Sequence, residues 1–260
     1  MFIILTHTPS LATHADQTIT IIKASTGNTY SYFLTDFEMD PDRMLTREIS
    51  DLLKFKYNGY KFYLHNYAKF DGIFLLNHLT KLGKIIPTIN KGRFITVTLK
   101  FIKKLGSRSY SIIFRDSLQL LLGSLRKLAK CFDVEVKKGI FPHRFLNENN
   151  LDYVGQVPAF KYFDGITLNE YNEYCSNFNN NWCLKTESIK YCEADCVSLY
   201  QIMIKFINMI FDLYKINVNN YPTLPSLAYG LFRTHYLSDK TFIPMISGKV
   251  GNDIRLSYTG

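Results

Sequence analysis

Two carboxylates, each at the end of a short polar and aromatic segment, give the clearest chemical signal in the sequence. Asp71 ends the segment 65–71, which follows the run Lys61–Leu64, and Asp195 ends the segment 191–195. Metal-dependent cleavage of a phosphodiester needs acidic oxygens clustered around hard cations about 4 Å apart, and Mg²⁺ prefers such ligands. We therefore predict that Asp71 and Asp195 converge on one metal site.

The neighbours of these carboxylates suit the same chemistry. Tyr191 and Asp195 stand at i and i+4, so in a helix they share a face, and the phenol could orient an attacking water. Asn66 and Phe70 near a strand end suit the gripping of a single strand, amide to backbone and ring to base. The alternative interpretation is structural, because an Asn-x4-Asp segment after a strand is often a turn.

The charge balance favours a polyanionic partner. The 260 residues carry a net charge of +9 and are 47% hydrophobic, enough for a full core. Five cysteines, an odd number, fit a reducing compartment better than secretion. Basic residues that could contact phosphates, or simply form solvated surfaces, are Lys103, Lys104, Arg126, Lys127 and Lys130.

No targeting or membrane segment is expected from the sequence. No stretch reaches the roughly 18 consecutive apolar residues of a membrane span. The apolar start, Met1–Leu5, is too short for a signal-peptide core, and an Arg-rich import peptide is not evident. We expect no membrane partner and, if the protein works in an organelle, synthesis there.

Strands that alternate with helices predict an α/β fold. β-branched and aromatic runs predict strands at 19–22, 29–34, 62–64, 94–102 and 110–114, the first two forming a hairpin. Apolar residues at helical spacing predict helices after caps at Asp40 and Ser124, and over 73–82 and 186–214. Residues 137–181 are predicted to be irregular, with His143 in a surface loop. A boundary near 217–224 predicts domains at 1–216 and 217–260.

Several segments together resemble the protein-primed branch of family B DNA polymerases, found in linear mitochondrial plasmids and certain phages. The segment 65–72 is similar to the second motif of its 3′–5′ exonuclease, and 191–195 to the third. Ser117 and Leu118 resemble a motif that binds single-stranded DNA and the terminal protein. Lys138 matches a lysine that supports the exonuclease site.

Further matches extend the resemblance towards the polymerase. Residues 223–227 and 232–234 are similar to the start of its polymerase domain, and Tyr258 to Gly260 to a Tyr-x-Gly-Gly motif that binds template. The resemblance implies a ribonuclease-H-like exonuclease domain followed by the opening of a polymerase palm. It implies catalytic roles for Asp71, Tyr191, Asp195 and Lys138, with Mg²⁺ or Mn²⁺ on Asp71 and Asp195. The residues it implies for DNA binding are His65, Asn66, Phe70, Ser117, Leu118, Tyr258 and Gly260.

The partners implied are DNA (a single-stranded 3′ end and template) and a terminal protein primer, with the protein itself monomeric. The function implied is DNA synthesis and 3′-end proofreading for a linear mitochondrial plasmid, which would place the protein in the mitochondrion.

One departure from the family concerns its first motif, an Asp-x-Glu on the first strand. Residues 1–16 hold no such pair, so we expect that strand to be missing and the two-metal site to be incomplete. Asp36-Phe37-Glu38 matches the Asp-x-Glu pattern, but it leads into the start of a helix and is interpreted as a loop and cap element. The polymerase carboxylate motifs do not occur before residue 260. We therefore expect a fragment, truncated in both domains, with little cleavage and no polymerisation of its own.

Two other functions stay open. One is a nucleic-acid-binding remnant without catalysis, and the other is a free-standing nuclease that uses Asp36 and Glu38. Cys192 and Cys196 at i and i+4 could hold a metal, but a packed helix face is the favoured interpretation because the sequence has no Cys-x-x-Cys spacing.

Overall fold

Seven strands build the central sheet of the protein. The computed structural model describes residues 2–7, 20–24, 29–67, 71–102, 109–136, 139–147, 149–238, 241 and 246–257. The strands are β1 (Phe2–His7), β2 (Thr20–Ala24), β3 (Thr29–Tyr32), β4 (Lys61–Leu64), β5 (Lys84–Asn90), β6 (Arg93–Phe101) and β7 (Tyr110–Asp116). Their order is β3-β2-β1-β4-β7-β6-β5. A two-stranded sheet pairs β8 (Val154–Gly155) with β9 (Trp182–Cys183).

The three central strands run parallel, and this fixes where a site can lie. β1 pairs in parallel with β4, with Leu5 opposite Leu64, and β4 pairs in parallel with β7, with Leu64 opposite Asp116. β2, β3, β5 and β6 are joined in antiparallel ladders on either side. The C-terminal ends of β1, β4 and β7 therefore meet at one border of the sheet, the carboxyl edge.

Helices cover the sheet and extend beyond it. They are α1 (Pro41–Leu52), α2 (Asp71–Leu82), α3 (Leu125–Cys131), α4 (Leu168–Ser176), α5 (Leu184–Tyr214), α6 (Leu224–His235) and α7 (Gly248–Ser257). α5 packs on β1 and β2, α3 packs on α5, and α2 packs on α1, β5 and β6. The predicted α/β class is confirmed.

Local signals explain why several predicted elements are found where the sequence placed them. The Asp40 carboxylate accepts a hydrogen bond from the Arg43 amide at 3.0 Å, and Pro41 opens α1. The Ser124 hydroxyl caps α3 in the same way, through the Lys127 amide. The predicted hairpin, β4, β6, β7 and α2 are likewise confirmed.

α5 is the core helix of the molecule. Its length and apolar composition would also suit a membrane span, but Leu199, Ile202 and Met203 on its apolar side are fully buried in the protein core. Cys192 and Cys196 are buried on the same helix. The favoured interpretation of the two cysteines as part of a packed helix face is therefore confirmed.

Three expectations about the fold are wrong. A first strand is present, because Phe2–His7 forms β1 between β2 and β4; a short continuous apolar run is typical of the strands of a parallel sheet. β5 was missed because it contains Pro87, which an edge strand tolerates. α4 lies within the segment expected to be irregular, where Thr167 and Glu170 form a reciprocal capping box.

Candidate functional site

At the carboxyl edge, the segments that follow β4 and β7 are tied together through one carboxylate. The Asp116 Oδ1 atom accepts hydrogen bonds from the backbone amides of Asn66 and Leu118, both at 2.9 Å. Asp116 is only 2% exposed, and Asn66 adopts a left-handed backbone with φ of 70°. The parallel pairing of β4 with β7 thus positions Asn66 beside the 117–119 turn.

Two predicted binding residues hold this turn from inside the protein. The fully buried Ser117 hydroxyl donates to the Leu64 carbonyl at 3.1 Å. His65 Nδ1 lies 3.0 Å from the Ser117 hydroxyl, and its Nε2 donates to the Gly123 carbonyl at 3.0 Å. Ser117 and His65 therefore fix the shape of the turn, and the half-buried Leu118 is the member of the motif that lines the surface.

A groove of about 620 Å³ opens beside Asn66 and Leu118. The tip of the β5–β6 hairpin contributes Lys91 and Arg93 to its lining, and the start of α6 contributes Thr223. The Oδ1 atom of Asn66 is buried and has no hydrogen-bond partner among the described residues. Asn66 therefore lines the groove, while its buried Oδ1 is an acceptor that the described residues leave unsatisfied.

Tyr191 and Asp195 share one face of α5, as predicted, and the phenol hydrogen-bonds the carboxylate. Both side chains are buried, at 5% and 9% exposure. Burial raises the pKa of the Tyr191 phenol strongly, and the adjacent Asp195 carboxylate raises this pKa further. The phenol therefore stays protonated at neutral pH and donates a hydrogen bond to the Asp195 carboxylate.

An aromatic wall encloses this pair. The Tyr191 ring lies 5.3 Å from the Phe141 ring and 5.0 Å from the His143 ring, measured between centroids. Gly139 approaches so closely that a Cβ placed there would lie 3.2 Å from Tyr191 Cδ2. His143, expected in a surface loop, is instead half-buried because it packs edge-on against Tyr191. The predicted Lys138 motif thus places its residues 139 and 141 against Tyr191.

The remaining predicted site residues are described only in part. Asp71 is the first residue of α2, and the Gly72 amide donates to the Tyr67 carbonyl at 2.9 Å, but the Asp71 side chain lies outside the description. Phe70, Lys138, Tyr258 and Gly260 also lie outside the described residues. Their roles stay predictions, as does the convergence of Asp71 with Asp195.

Asp36 and Glu38 are engaged elsewhere. They occupy a 3₁₀ turn and the residue after it, just ahead of α1. Asp36 pairs with Lys185 on α5, and Glu38 pairs with Arg43 at 3.2 Å. Both side chains are exposed and neutralised by cations, as expected of a loop and cap element. In the part of the chain that the structure describes, no three acidic, His or Cys residues cluster as a metal site.

Arg115 is a buried residue that the sequence analysis missed. Its guanidinium donates to the Asn219 carbonyl at 2.8 Å and to the Tyr63 hydroxyl at 3.3 Å. Arg115 and Asp116 are consecutive in β7, so their side chains point to opposite faces of the sheet. Arg115 of β7 therefore binds the 217–220 segment, and the next residue, Asp116, binds backbone amides at the carboxyl edge. The role of Asp116 was also missed, although its place at the end of a buried strand was a usable signal.

The fold defines the class to which the protein is related. Phi29 DNA polymerase complexed with primer-template DNA and incoming nucleotides matches with a TM-score of 0.60 at 17% identity, covering 100% of this chain and 40% of that one. Phi29 DNA polymerase complexed with single-stranded DNA gives 0.57 over the same shares. The predicted fold, a ribonuclease-H-like domain with the opening of a palm, is confirmed.

The family follows from the sequence match. The chain belongs to the organellar and viral type B DNA polymerases, whose family model matches residues 51–260. A probable DNA polymerase of Neurospora intermedia is 44% identical over 213 residues, which is 79% of this chain and 22% of that protein. One from Ascobolus immersus is 35% identical over 231 residues, or 86% and 19%. The chain thus spans about a fifth of the length of these relatives.

Proposed function

We propose that this chain is the part of a family B DNA polymerase that binds the single-stranded 3′ end of DNA. The observation that carries the proposal is the groove at the carboxyl edge, where Asn66 and Leu118 are held together by Asp116. A side-chain amide, an apolar side chain and nearby cations in one groove suit a flexible, phosphate-bearing strand.

The whole polymerase is proposed to perform DNA synthesis and 3′–5′ proofreading in the protein-primed replication of a linear mitochondrial plasmid. The family's organellar and viral description and the fungal origin of the relatives support this proposal. A mitochondrial location, a terminal protein that contacts the Ser117–Leu118 turn, and a monomeric state belong to the same proposal.

We propose that the chain itself cleaves DNA little or not at all. A two-metal site needs several carboxylates around both ions, yet β1 has the sequence Phe-Ile-Ile-Leu-Thr-His, without an acid. Asp195 is the one described carboxylate of the predicted pair, and it already accepts the Tyr191 hydroxyl. The donors therefore do not fit a two-metal centre, although Asp71 and Asp195 have the hard oxygen chemistry that a single Mg²⁺ prefers.

The binding proposal is tested by the affinity for a labelled oligothymidylate without added metal. Asn66→Gly removes the amide and retains the left-handed backbone. Asn180→Gly is the matched control, because Asn180 also has a positive φ of 55° but is exposed at a different site. We expect Asn66→Gly to weaken binding about three- to tenfold, the loss of about one hydrogen bond, and Asn180→Gly to bind as the wild type does. A wild-type protein without affinity for the oligothymidylate would refute the proposal.

A further inference from the structure

The tip of the β5–β6 hairpin is a basic projection beside the carboxyl edge. Asn90 pairs with Arg93 across the two strands, and Lys91 and Gly92 form the turn with φ of 47° and 73°. Two consecutive left-handed residues are typical of a tight turn matched to the twist of a hairpin. Lys91 and Arg93 are both exposed, and neither forms an ion pair with the described residues.

The ladder places this tip beyond the end of β7. Thr96 of β6 lies opposite Arg115, the penultimate residue of β7, and is the last residue of β6 that pairs with β7. Arg93 is three residues beyond Thr96, past the C-terminal end of β7. Thr88 pairs with Thr96 and Ile89 with Phe94, which leaves Ile95 as a bulge on β6. A bulge bends and twists its strand, and Ile95 lines the groove.

A side-chain hydrogen bond fixes the tip to the turn that follows β7. Gln119 Nε2 donates to the Phe94 carbonyl at 2.6 Å, one residue from Arg93. The two cations therefore stand over the same groove as Asn66 and Leu118. The groove also contains a carboxylate, Asp116, but that group is buried and accepts two backbone amides.

We infer that Lys91 and Arg93 form a phosphate-binding extension of the groove, so that a single DNA strand runs from Asn66 and Leu118 to the hairpin tip. The inference rests on the proposed binding of single-stranded DNA and adds the path of the strand. Two cations on a fixed support, without an ion pair in the described part of the chain, suit the backbone of a strand whose bases are held elsewhere. Phosphate contacts position a nucleic acid without reading its sequence.

The test compares two double variants that each remove two positive charges from the same hairpin. Lys91→Gln with Arg93→Gln alters the tip. Lys84→Gln with Lys100→Gln alters the base, where the two exposed lysines pair across the strands. Affinities for oligothymidylates of about 4 and about 16 nucleotides, lengths that bracket the site sizes of small single-strand-binding domains, are measured over a range of salt concentrations.

The tip variant is expected to bind the longer oligothymidylate about 3- to 10-fold more weakly. The slope of log affinity against log salt should become shallower by about 1.4, since each phosphate contact on a single strand contributes about 0.7. Its affinity for the shorter oligothymidylate should match that of the wild type. The base variant should change neither affinity by more than about twofold.

Equal losses in the tip and base variants would overturn the inference, because they would show a general charge effect. An unchanged salt dependence in the tip variant would also overturn the inference. If that variant instead lost affinity for polyglutamate, the hairpin tip would be a protein-docking surface and the inference would fail as well. If the wild type binds neither oligothymidylate, the proposed function itself fails. If the wild type binds both and the tip variant binds both equally well, the hairpin inference alone fails.

Discussion

Two regions of the molecule are built for different tasks: the open side, which is the groove at the carboxyl edge, and the enclosed side, which is the Tyr191–Asp195 pair on α5. The groove beside β4 and β7 is open, and among the described residues its Lys91 and Arg93 form no ion pair and its Asn66 Oδ1 has no hydrogen-bond partner. The Tyr191–Asp195 pair on α5 is enclosed by Phe141 and His143, and it lies on a helix that packs against a strand without acids. Under the proposed function, the contrast separates the residues that would hold a DNA strand from those that would cut it.

The largest expected effect is the lack of measurable nuclease activity. We predict that the purified chain does not degrade a 3′-labelled single-stranded oligonucleotide above background with Mg²⁺, because β1 supplies no carboxylate. The measurement is the rate of product formation by gel. Asp36→Asn with Glu38→Gln should also leave the rate at background, since both residues are exposed and paired with cations. Brisk degradation that disappears in Asp71→Ala would contradict this prediction and show that Asp71 belongs to a working nuclease site.

The next largest effect is a loss of stability when the contacts that shape the groove are removed. Asp116→Ala leaves the amides of Asn66 and Leu118 without their acceptor, and we expect it to lower the free energy of unfolding by about 2–4 kcal/mol. Both amides donate to the same oxygen, Oδ1, which Asp116→Asn can keep. The asparagine variant should therefore lose only about 1 kcal/mol. Denaturant unfolding measures both variants, and equal losses would show that charge, and not the two hydrogen bonds, ties the groove together.

The enclosed side should respond to alkaline pH. Burial first, and then Asp195, raises the pKa of Tyr191, so the folded protein keeps a proton that the unfolded chain releases above about pH 10. The unfolded state then binds fewer protons, and stability falls as the pH rises, by up to about 1.4 kcal/mol per pH unit for this residue. Melting temperatures between about pH 8 and 11 should show a shallower decline in Tyr191→Phe.

Tyr236→Phe is the control for this pH dependence, because Tyr236 is 71% exposed and its removal should leave the decline unchanged. Burial also raises the pKa values of Tyr32 and Tyr174, so the Tyr191→Phe variant should keep part of the slope. An identical slope in Tyr191→Phe and wild type would contradict the description of Tyr191 as enclosed.

Local sequence signals were sufficient for some elements and residues. The Asp40 cap with Pro41 predicts the start of α1, and the i, i+4 spacing predicts that Tyr191 and Asp195 meet on α5. In each case the partners are within five residues of each other, so one segment contains all the information. The short apolar run of β1 is also a usable strand signal, although the same run resembles the start of a targeting segment.

The contacts that shape the groove depend on residues that are far apart in the sequence. Asp116 reaches Asn66 across 50 positions, and Arg115 reaches Asn219 across 104. The first contact depends on the parallel pairing of β4 with β7, and the second on the return of the 217–220 segment to β7. A single sequence specifies neither. The same limit applies to His143, whose contact with Tyr191 depends on a loop folding over α5.

The smallest expected effect tests how the hairpin tip is held. Gln119→Ala removes the hydrogen bond to the Phe94 carbonyl and should cost about 1 kcal/mol of stability or less, since the bond is only part-buried. The enclosed side should be unaffected, so the alkaline decline due to Tyr191 should match that of the wild type. Affinity for a long oligothymidylate should fall by less than in the Lys91 and Arg93 double variant, because the cations remain but are less well positioned. A loss as large as that of the double variant would mean that Gln119 itself contacts the strand.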